Sequence, residues 1–236
     1  MNSMSDSPIS GVSETFKSRV LEYLSTLRAK LVVCRAEIEE RVRSESPDFN
    51  VFQFIQPDEN RLSDIIAALL DPNGNHGQGE LFLAEFLEIA GIATDVPLEA
   101  FRVVREDCTT QIANPLRRID IVLIGSVNGR SFGIGIENKP WAVDQPNQVK
   151  DYVDELVSRF KDRWHMIYLC REGSGPTASS ICATSWETLR SSGKCKVMTF
   201  RGEFSAWLKR CFKVCKSLYP RAFLQNFAAY IDSHLS

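Results

Sequence analysis

The 236-residue sequence lacks several features that would assign a function directly. Its apolar runs are shorter than the roughly 20 residues of a membrane-spanning helix, so we expect no membrane association. No apolar signal sequence is apparent at the N-terminus. The seven cysteines are odd in number and show no tight pairing pattern. This is typical of reduced thiols, and we expect a cytoplasmic protein.

Signatures of several enzyme classes are also missing. The sequence contains no glycine-rich phosphate loop of the GxxxxGK[ST] type and no GxSxG nucleophile turn. Gly133-Ile134-Gly135 leads into Glu-Asn-Lys instead of a helix, so it is not a dinucleotide fingerprint. Cys211 and Cys215 lie one helical turn apart but have no second pair and no nearby histidine, which argues against zinc.

Charge alone does not identify the partner. The formal net charge of −2 does not predict a nucleic-acid binder. Binding to a phosphate backbone would need a local basic patch, because each neutralised phosphate requires a nearby cation. The candidates for such a patch are Arg102, Arg105, Arg117, Arg118, Lys139 and Lys150.

Histidine is scarce, with three residues in the chain. His76 stands among turn-forming residues, in the segment Asp71–Gly77. We therefore expect it to hydrogen-bond its own loop, and contact with a substrate is the alternative.

Two short apolar segments joined by Asn128-Gly129 predict a β-hairpin. The first covers residues 116–124 and the second covers residues 130–139. Asn-Gly is the strongest short hairpin signal, because both central residues of the turn need a positive φ. The register of a two-residue loop places Asp120 directly opposite Glu137.

This opposition predicts a metal site. Directly opposed side chains have Cβ atoms roughly 4.5–5.5 Å apart, and the period-2 strand places Lys139 on the same face as Glu137. Two facing carboxylates repel, and Mg²⁺ bound by both together with a substrate phosphate would relieve the repulsion. Lys139 could orient an attacking water or hold a phosphate oxygen. Gly133 and Gly135 on that face would let a backbone or a ligand approach closely. The pattern therefore indicates a metal-dependent phosphodiester hydrolase centre.

Simpler interpretations exist for the same residues. Taken singly, Asp120 or Glu137 could be a solvated edge position or part of a salt bridge. An unpaired charge within Ile119-Asp-Ile-Val-Leu-Ile124 is costly, however, which favours a functional role. Arg118 is expected opposite Lys139 in the same register, and two cations beside two acids would suit a bound phosphate.

The remaining segments predict an α/β fold with a mixed sheet flanked by helices. Strands are expected at about residues 101–108, 165–170 and 195–200, besides the hairpin. Helices are expected at about residues 62–70, 80–90, 145–160, 203–218 and 221–234. We expect an N-terminal helical extension over residues 1–50 and one compact domain over residues 51–236.

The extension is predicted to be one long helix over residues 15–43. Its apolar residues are roughly in phase: Phe16, Val20, Tyr23, Leu24, Leu27, Leu31 and Ile38. We expect this face to pack as an N-terminal helical layer on the core. The alternatives are a homodimer seam and a purely helical interaction protein.

Ile119-Asp-Ile-Val122, the hairpin and Ile136-Glu-Asn-Lys139 resemble the signature of the PD-(D/E)XK nuclease superfamily, also called restriction-endonuclease-like. Residues 60–77 and 144–152 resemble a bacterial branch of it, in which Glu precedes Leu-Leu-Asp-Pro…His-Gly and Gln…Tyr follows the Glu-x-Lys. The resemblance covers about residues 55–175.

The sequence departs from the family pattern at two points. Arg118-Ile119 precedes Asp120 where proline is usual, a frequent variation that leaves the metal role intact. Trp141 stands where an aliphatic residue is usual, and we expect it to alter the mouth of the site without altering its chemistry.

The resemblance implies a restriction-endonuclease-like core and a Mg²⁺-dependent endo- or exonuclease acting on DNA, with Mn²⁺ able to substitute. It implies that Asp120 and Glu137 ligate the metal, that Asn138 offers its backbone carbonyl, and that Lys139 positions or activates the water. Glu59 would be a further acidic ligand, either directly or through water.

Three further assignments have structural alternatives. Pro57-Asp58-Glu59 also reads as a helix start, with proline at the first helical position and acids in the first turn. Gln148 and Tyr152, four residues apart, are neighbours on a helix. The resemblance makes Gln148 a support for Glu137 or a phosphate contact, and Tyr152 a substrate-binding residue. Arg118 is expected to bind substrate because of its place opposite Lys139. Both helical residues could instead simply flank a buried stripe.

A second function from another class is a catalytically silent module that binds nucleic acid or protein and retains the nuclease fold. The intact acidic and lysine positions argue against it, because decayed sites usually lose these residues first.

Overall fold

The structure is a computed structural model that describes residues 14–46, 49–110, 117–141 and 143–235. The chain divides into two units, residues 1–49 and residues 50–236. Leu116, at the start of the predicted first hairpin segment, lies outside the described residues. The helices are α1 (Glu14–Glu45), α2 (Phe52–Ile55), α3 (Glu59–Leu70), α4 (Leu81–Ala90), α5 (Gln148–Phe160), α6 (Ala183–Ser191), α7 (Ser205–Val214) and α8 (Leu218–His234). The strands are β1 (Arg102–Cys108), β2 (Arg118–Val127), β3 (Arg130–Lys139), β4 (Trp164–Cys170) and β5 (Cys195–Thr199).

The five strands form one mixed sheet in the order β1-β2-β3-β4-β5. β1, β2 and β3 are antiparallel neighbours, whereas β4 and β5 continue the sheet in parallel. The parallel pairs require crossovers, and α5 and α6 supply them between successive strands. The predicted fold class, a mixed sheet flanked by helices, is confirmed.

The hairpin forms with the predicted two-residue turn. Asn128 and Gly129 have φ values of 52° and 72°, which the turn requires at both positions. Val127 pairs with Arg130, and the ladder continues in the same register to Ile121 and Ile136.

Two hydrophobic cores cover the two faces of the sheet. On one face, β2 and β3 contribute Ile121, Leu123, Ile134 and Ile136 to a core that also contains residues of α3, α4, α7 and α8. On the other face, Val122 and Met166 pack with residues of α5 and α6. The alternation of strand side chains produces both cores, because successive residues face opposite ways.

Several element boundaries differ from the expectations. α3 starts at Glu59, because the Asp58 side chain caps it by accepting a hydrogen bond from the Arg61 N–H at 2.8 Å. Pro57 therefore precedes the cap and is not at the first helical position. α5 starts at Gln148 instead of Gln145. A π-helical turn at Phe200–Phe204 precedes α7, which delays the start of that helix to Ser205.

α6 was not predicted from the sequence. Its residues are mostly polar, and Trp186 is its one buried side chain. A helix with a single buried residue shows no apolar periodicity, so the pattern on which the other helix predictions rest was missing.

α1 forms over the predicted segment, and the packing of its apolar face on the core stays a prediction. Its apolar side chains are exposed, including Phe16 at 61% and Leu31 at 68% of their full accessibility. The homodimer seam stays a prediction. In the described ranges, no helix is both long and apolar enough to cross a membrane.

Candidate active site

The hairpin pairing gives way at Asp120, one residue beyond the last Ile121–Ile136 pair. The Asp120 carboxylate accepts a hydrogen bond from the Asn138 N–H at 2.8 Å. Its backbone carbonyl accepts one from the Arg105 guanidinium. The side chain thus takes the place of a backbone partner, which holds the carboxylate at the end of β3.

The change in side-chain direction at this point is visible in the cores. Ile121 belongs to the core on the α3 side of the sheet, and strict alternation would place Ile119 there too. Ile119 instead belongs to the core on the α5 side. Irregular strand positions of this kind re-aim side chains and are common beside active sites.

Glu137 and Lys139 share one face of β3, as the period-2 pattern predicts. Glu137 is 1% exposed, and its Oε1 lies 2.8 Å from the Lys139 Nζ. The second carboxylate oxygen, Oε2, is buried and has no hydrogen-bond partner in the part of the chain that the structure describes. Burial of a carboxylate oxygen without a hydrogen bond raises the free energy of the folded state. The described residues alone therefore leave Glu137 Oε2 unsatisfied.

The charges of this group act strongly on one another. Burial and the nearby charge of Asp120 raise the pKa of Glu137 well above its ordinary value. Burial also raises the pKa of Asp120, against the hydrogen bond from Asn138 and the charge of Lys139. Burial alone would lower the pKa of Lys139, but the charge and hydrogen bond of Glu137 raise it overall. The charge of Asp120 therefore disfavours ionisation of Glu137, as expected for two carboxylates that share a site.

α5 supplies the residues that hold Glu137 in place. Gln148 Nε2 donates to Glu137 Oε1 at 2.7 Å and to the Tyr152 hydroxyl at 3.1 Å. The Tyr152 hydroxyl donates to the Arg118 carbonyl at 2.6 Å. Gln148 thus supports Glu137 directly. The hydroxyl of Tyr152 is used within the protein to join α5 to β2, so this geometry does not favour its predicted contact with substrate.

Glu59 and Asn138 meet at the start of α3. Glu59 Oε1 lies 3.4 Å from the Lys139 Nζ. The Asn138 side chain donates to the Glu59 carbonyl at 3.1 Å and to the Ser63 Oγ at 2.8 Å. The Asn138 Nδ2 is therefore bound to α3, whereas its Oδ1 is buried without a hydrogen-bond partner among the described residues. The expectation that its side chain is not a metal ligand stays a prediction. The ligand roles of its backbone carbonyl and of Glu59 stay predictions.

A cleft of about 470 Å³ opens onto these residues. Glu59, Asp120, Lys139, Gln148, Tyr152 and Arg118 are among the residues that line it. Glu137 and Asn138 do not line the cleft but contact Lys139 and Asp120, which do, so the structure brings the predicted site residues together.

The predicted basic patch is largely neutralised by ion pairs. Arg105 pairs with Asp64 at 2.9 Å, Arg117 with Asp151 at 2.7 Å and Arg118 with Glu106 at 2.9 Å. The pairs differ in burial. The Arg117 side chain is 11% exposed, whereas the Arg118 side chain is 58% exposed. Arg118 has Cys108 as its strand partner, and its predicted opposition to Lys139 lies beyond the paired part of the hairpin.

Two smaller predictions have clear outcomes. His76 binds its own loop, with Nε2 2.8 Å from the Asp71 carbonyl and Nδ1 accepting from the Gln78 N–H at 3.1 Å, so the loop-capping interpretation is confirmed. The space above Gly133 and Gly135 is filled by the Phe160 and Leu156 side chains of α5. These glycines therefore serve helix packing, and neither a backbone nor a ligand occupies the space.

Sequence reasoning missed Ser63 and Asp144. Ser63 is fully buried and receives the Asn138 amide. Asp144 accepts from the Tyr168 hydroxyl at 2.9 Å and from the Thr177 N–H at 2.7 Å, which ties the segment after β3 to the loop after β4. A signal for Ser63 was present, because it is a polar residue on the apolar side of α3.

The donor set suits a hard divalent cation. Asp120 and Glu137 offer carboxylate oxygens, one of them buried without a partner. The described residues contain no group of three or more His, Cys, Asp or Glu side chains arranged to hold a metal. Two carboxylates are nevertheless sufficient for Mg²⁺, which usually completes its shell with waters and substrate phosphate.

The chain matches a known protein family. The sequence model of the PD-(D/E)XK nuclease superfamily matches residues 49–228. Neither the curated proteins nor the solved structures contained a significant match to the chain.

Proposed function

The chain belongs to the PD-(D/E)XK nuclease superfamily, and we propose that it hydrolyses phosphodiester bonds of DNA with a divalent metal ion held by Asp120 and Glu137. Mg²⁺ is the proposed ion, with Mn²⁺ able to replace it. The observation that carries the proposal is the buried Glu137 Oε2, which has no hydrogen-bond partner among the described residues, beside a second carboxylate at the edge of the cleft.

The metal ion would offset the repulsion between the two acids. Both carboxylates have pKa values raised by burial, and the charge of Asp120 is the second cause for Glu137. A bound cation would favour the ionised form of both groups. When bound, Mg²⁺ would supply Lewis-acid stabilisation of charge on the phosphate oxygens.

Lys139 is the proposed cationic residue that acts on the water or the phosphate. Its ammonium contacts Glu137 and Glu59 and lines the cleft, so it is held next to the position of a phosphate bound between them. A fixed ammonium at this point can orient a water or stabilise charge on a phosphate oxygen. Gln148 keeps Glu137 in position through its 2.7 Å hydrogen bond.

Arg118 is the proposed contact to the DNA backbone. Its side chain and its partner Glu106 are both more than 40% exposed, and an exposed ion pair contributes at most about 1 kcal/mol. Arg118 can therefore exchange Glu106 for a phosphate at a small cost in free energy. Arg117, by contrast, is nearly buried and binds Asp151 and the Gln145 side chain, which suits a structural role.

The proposed setting is the cytoplasm. This rests on the expectation that the seven cysteines are reduced, and the structure holds all of them as free thiols.

The deciding experiment incubates the purified chain with plasmid, linear double-stranded DNA, single-stranded DNA and RNA in the presence of Mg²⁺. We expect cleavage of DNA that EDTA abolishes, that Mn²⁺ restores, and that is lost in Lys139→Ala. Lys209→Ala is the matched control, because Lys209 of α7 pairs with Asp232 of α8 and is not among the residues that line the cleft. Cleavage of RNA alone would overturn the proposed substrate, and equal cleavage by Lys139→Ala would overturn the proposed site.

The same experiment tests the silent binding module. If no nucleic acid is cleaved with any divalent ion while DNA is still bound, the chain retains the fold without the activity. Binding measured by gel shift in Ca²⁺, which occupies such sites without necessarily supporting cleavage, separates this result from a failure to bind.

A further inference from the structure

α1 carries a continuous apolar stripe along one side of the helix. At 100° per residue, the stripe lies within a sector about 100° wide and runs for about 40 Å. Its members are Phe16, Val20, Tyr23, Leu24, Leu27, Leu31, Cys34, Ile38 and Val42. All of them are exposed. A long exposed apolar stripe is costly in water and marks an interaction surface.

We propose that the stripe is covered by the same stripe of a second copy of this chain, in an antiparallel helix pair. The stripe repeats itself about its centre, between Leu27 and Leu31. A two-fold axis there would bring together residues whose numbers total 58: Phe16 with Val42, Val20 with Ile38, Leu24 with Cys34, and Leu27 with Leu31. This is the self-complementarity that a two-fold symmetric interface requires.

The charges of α1 favour the antiparallel arrangement. Over residues 16–30 there are four cations (Lys17, Arg19, Arg28, Lys30) and one anion (Glu22), a net charge of +3. Over residues 31–45 there are three cations (Arg35, Arg41, Arg43) and four anions (Glu37, Glu39, Glu40, Glu45), a net charge of −1. An antiparallel pair places the basic half of one helix beside the acidic half of the other. A parallel pair would place the two basic halves together, which is unfavourable.

Formation of the pair would also stabilise the helix itself. Isolated helices are marginal in water, and most helical stability in proteins comes from packing of an apolar face. α1 runs for 32 residues from Glu14 to Glu45 without burying any of the side chains that the structure describes. A second copy supplies the missing packing along its whole length.

The oligomeric state of the full chain tests the pairing. We expect a dimer by size exclusion with light scattering, and a monomer for Leu31→Lys in the stripe. Val33→Lys is the matched control, because Val33 is also exposed but faces nearly the opposite side of the helix. A monomeric wild type, a trimer or larger species, or equal dissociation by both variants would overturn the proposal. If the wild type is a monomer and Leu31→Lys lowers its melting temperature, residues 50–236 of the same chain cover the stripe.

Cysteine cross-linking tests the orientation. In a parallel pair the two copies of Cys34 would lie side by side, whereas in the antiparallel pair they would be about 15 Å apart, ten residues along the helix. The exposed thiols elsewhere are removed by Cys108→Ser and Cys182→Ser. In this background we expect a mild oxidant to give little covalent dimer, and to give abundant dimer after Leu24→Cys, which places a thiol opposite Cys34 of the partner. Adding Cys34→Ser to that variant should abolish the cross-link. Efficient cross-linking through Cys34 alone would overturn the antiparallel arrangement.

Discussion

The two ends of the β2–β3 hairpin are built from the same pair of strands but differ in pairing and in the polarity of their buried side chains. Near the turn the ladder is regular, and the glycines of β3 bring α5 into close apolar contact. At the far end the ladder stops at Ile121–Ile136, and buried charged groups replace apolar packing. The turn end supplies the packing energy that keeps the strands together. The far end holds the buried carboxylate of Glu137, whose pKa is raised by burial and by the nearby charge of Asp120. The proposed site therefore lies at the end of the hairpin where the regular ladder has stopped, and active sites are often found at such irregular positions.

Asp120→Asn is expected to have the largest effect, in opposite directions on activity and stability. Loss of the carboxylate should lower DNA cleavage by at least about 10²–10³-fold. The neutral amide removes the charge that disfavours ionisation of Glu137, and its carbonyl oxygen can still accept the hydrogen bond from the Asn138 N–H. In EDTA, its melting temperature should therefore equal or exceed that of the wild type, and Mg²⁺ should stabilise the wild type more than the variant. A clear loss of stability in EDTA would show that Asp120 is primarily structural.

Gly133→Ala, near the turn end of the hairpin, should lower the stability of the protein, whereas Asp120→Asn should not. A Cβ at Gly133 would lie 2.2 Å from the Phe160 Cε2, so α5 must move or the ring must change rotamer. We expect the free energy of unfolding to fall by about 1–3 kcal/mol, measured by urea denaturation. Ser131→Ala, at an exposed position of the same strand, is the control and should be close to neutral. Combining Gly133→Ala with Phe160→Leu should recover part of the loss, and no recovery would show that another contact limits the packing.

Gln148→Ala should disturb the far end without removing a proposed metal ligand. The variant loses the 2.7 Å hydrogen bond to Glu137 Oε1 and leaves the carboxylate less well oriented. Loss of a group that orients a metal ligand typically costs about 10–100-fold in metal affinity or activity. We expect the Mg²⁺ concentration for half-maximal cleavage to rise, with cleavage partly restored at high Mg²⁺. Lys150→Ala on the same helix should leave the metal dependence unchanged, and a Gln148→Ala variant with wild-type metal dependence would remove Gln148 from the site.

The two ends of the hairpin also differ in how far the sequence could predict them. Asn128-Gly129 determines the register locally, because both residues must adopt positive φ, so the approach of Asp120 to Glu137 was predictable. The hydrogen bond from the Asn138 N–H to the Asp120 side chain was not predictable. The Asp120 carbonyl binds Arg105 of β1, and no pattern within the hairpin indicates that contact. The Glu59–Lys139 contact likewise depends on where α3 packs, 80 residues away in the chain. Register is a local property, whereas the final arrangement of charges depends on tertiary packing.

Arg118→Ala should have the smallest effect. Both side chains of its ion pair with Glu106 are exposed, so the free energy of unfolding should fall by less than about 1 kcal/mol. If Arg118 exchanges Glu106 for a DNA phosphate, binding measured in Ca²⁺ should weaken by about two- to tenfold, and its dependence on salt should decrease by about one phosphate contact. The cleavage rate at saturating DNA should be unchanged, because Arg118 contacts neither Asp120 nor Glu137 in the described hydrogen bonds and ion pairs. Arg117→Ala is the contrasting variant: its nearly buried pair with Asp151 predicts a loss of stability in place of a loss of affinity. If Arg118→Ala binds DNA like the wild type with the same salt dependence, the backbone of the substrate does not pass this side of the cleft.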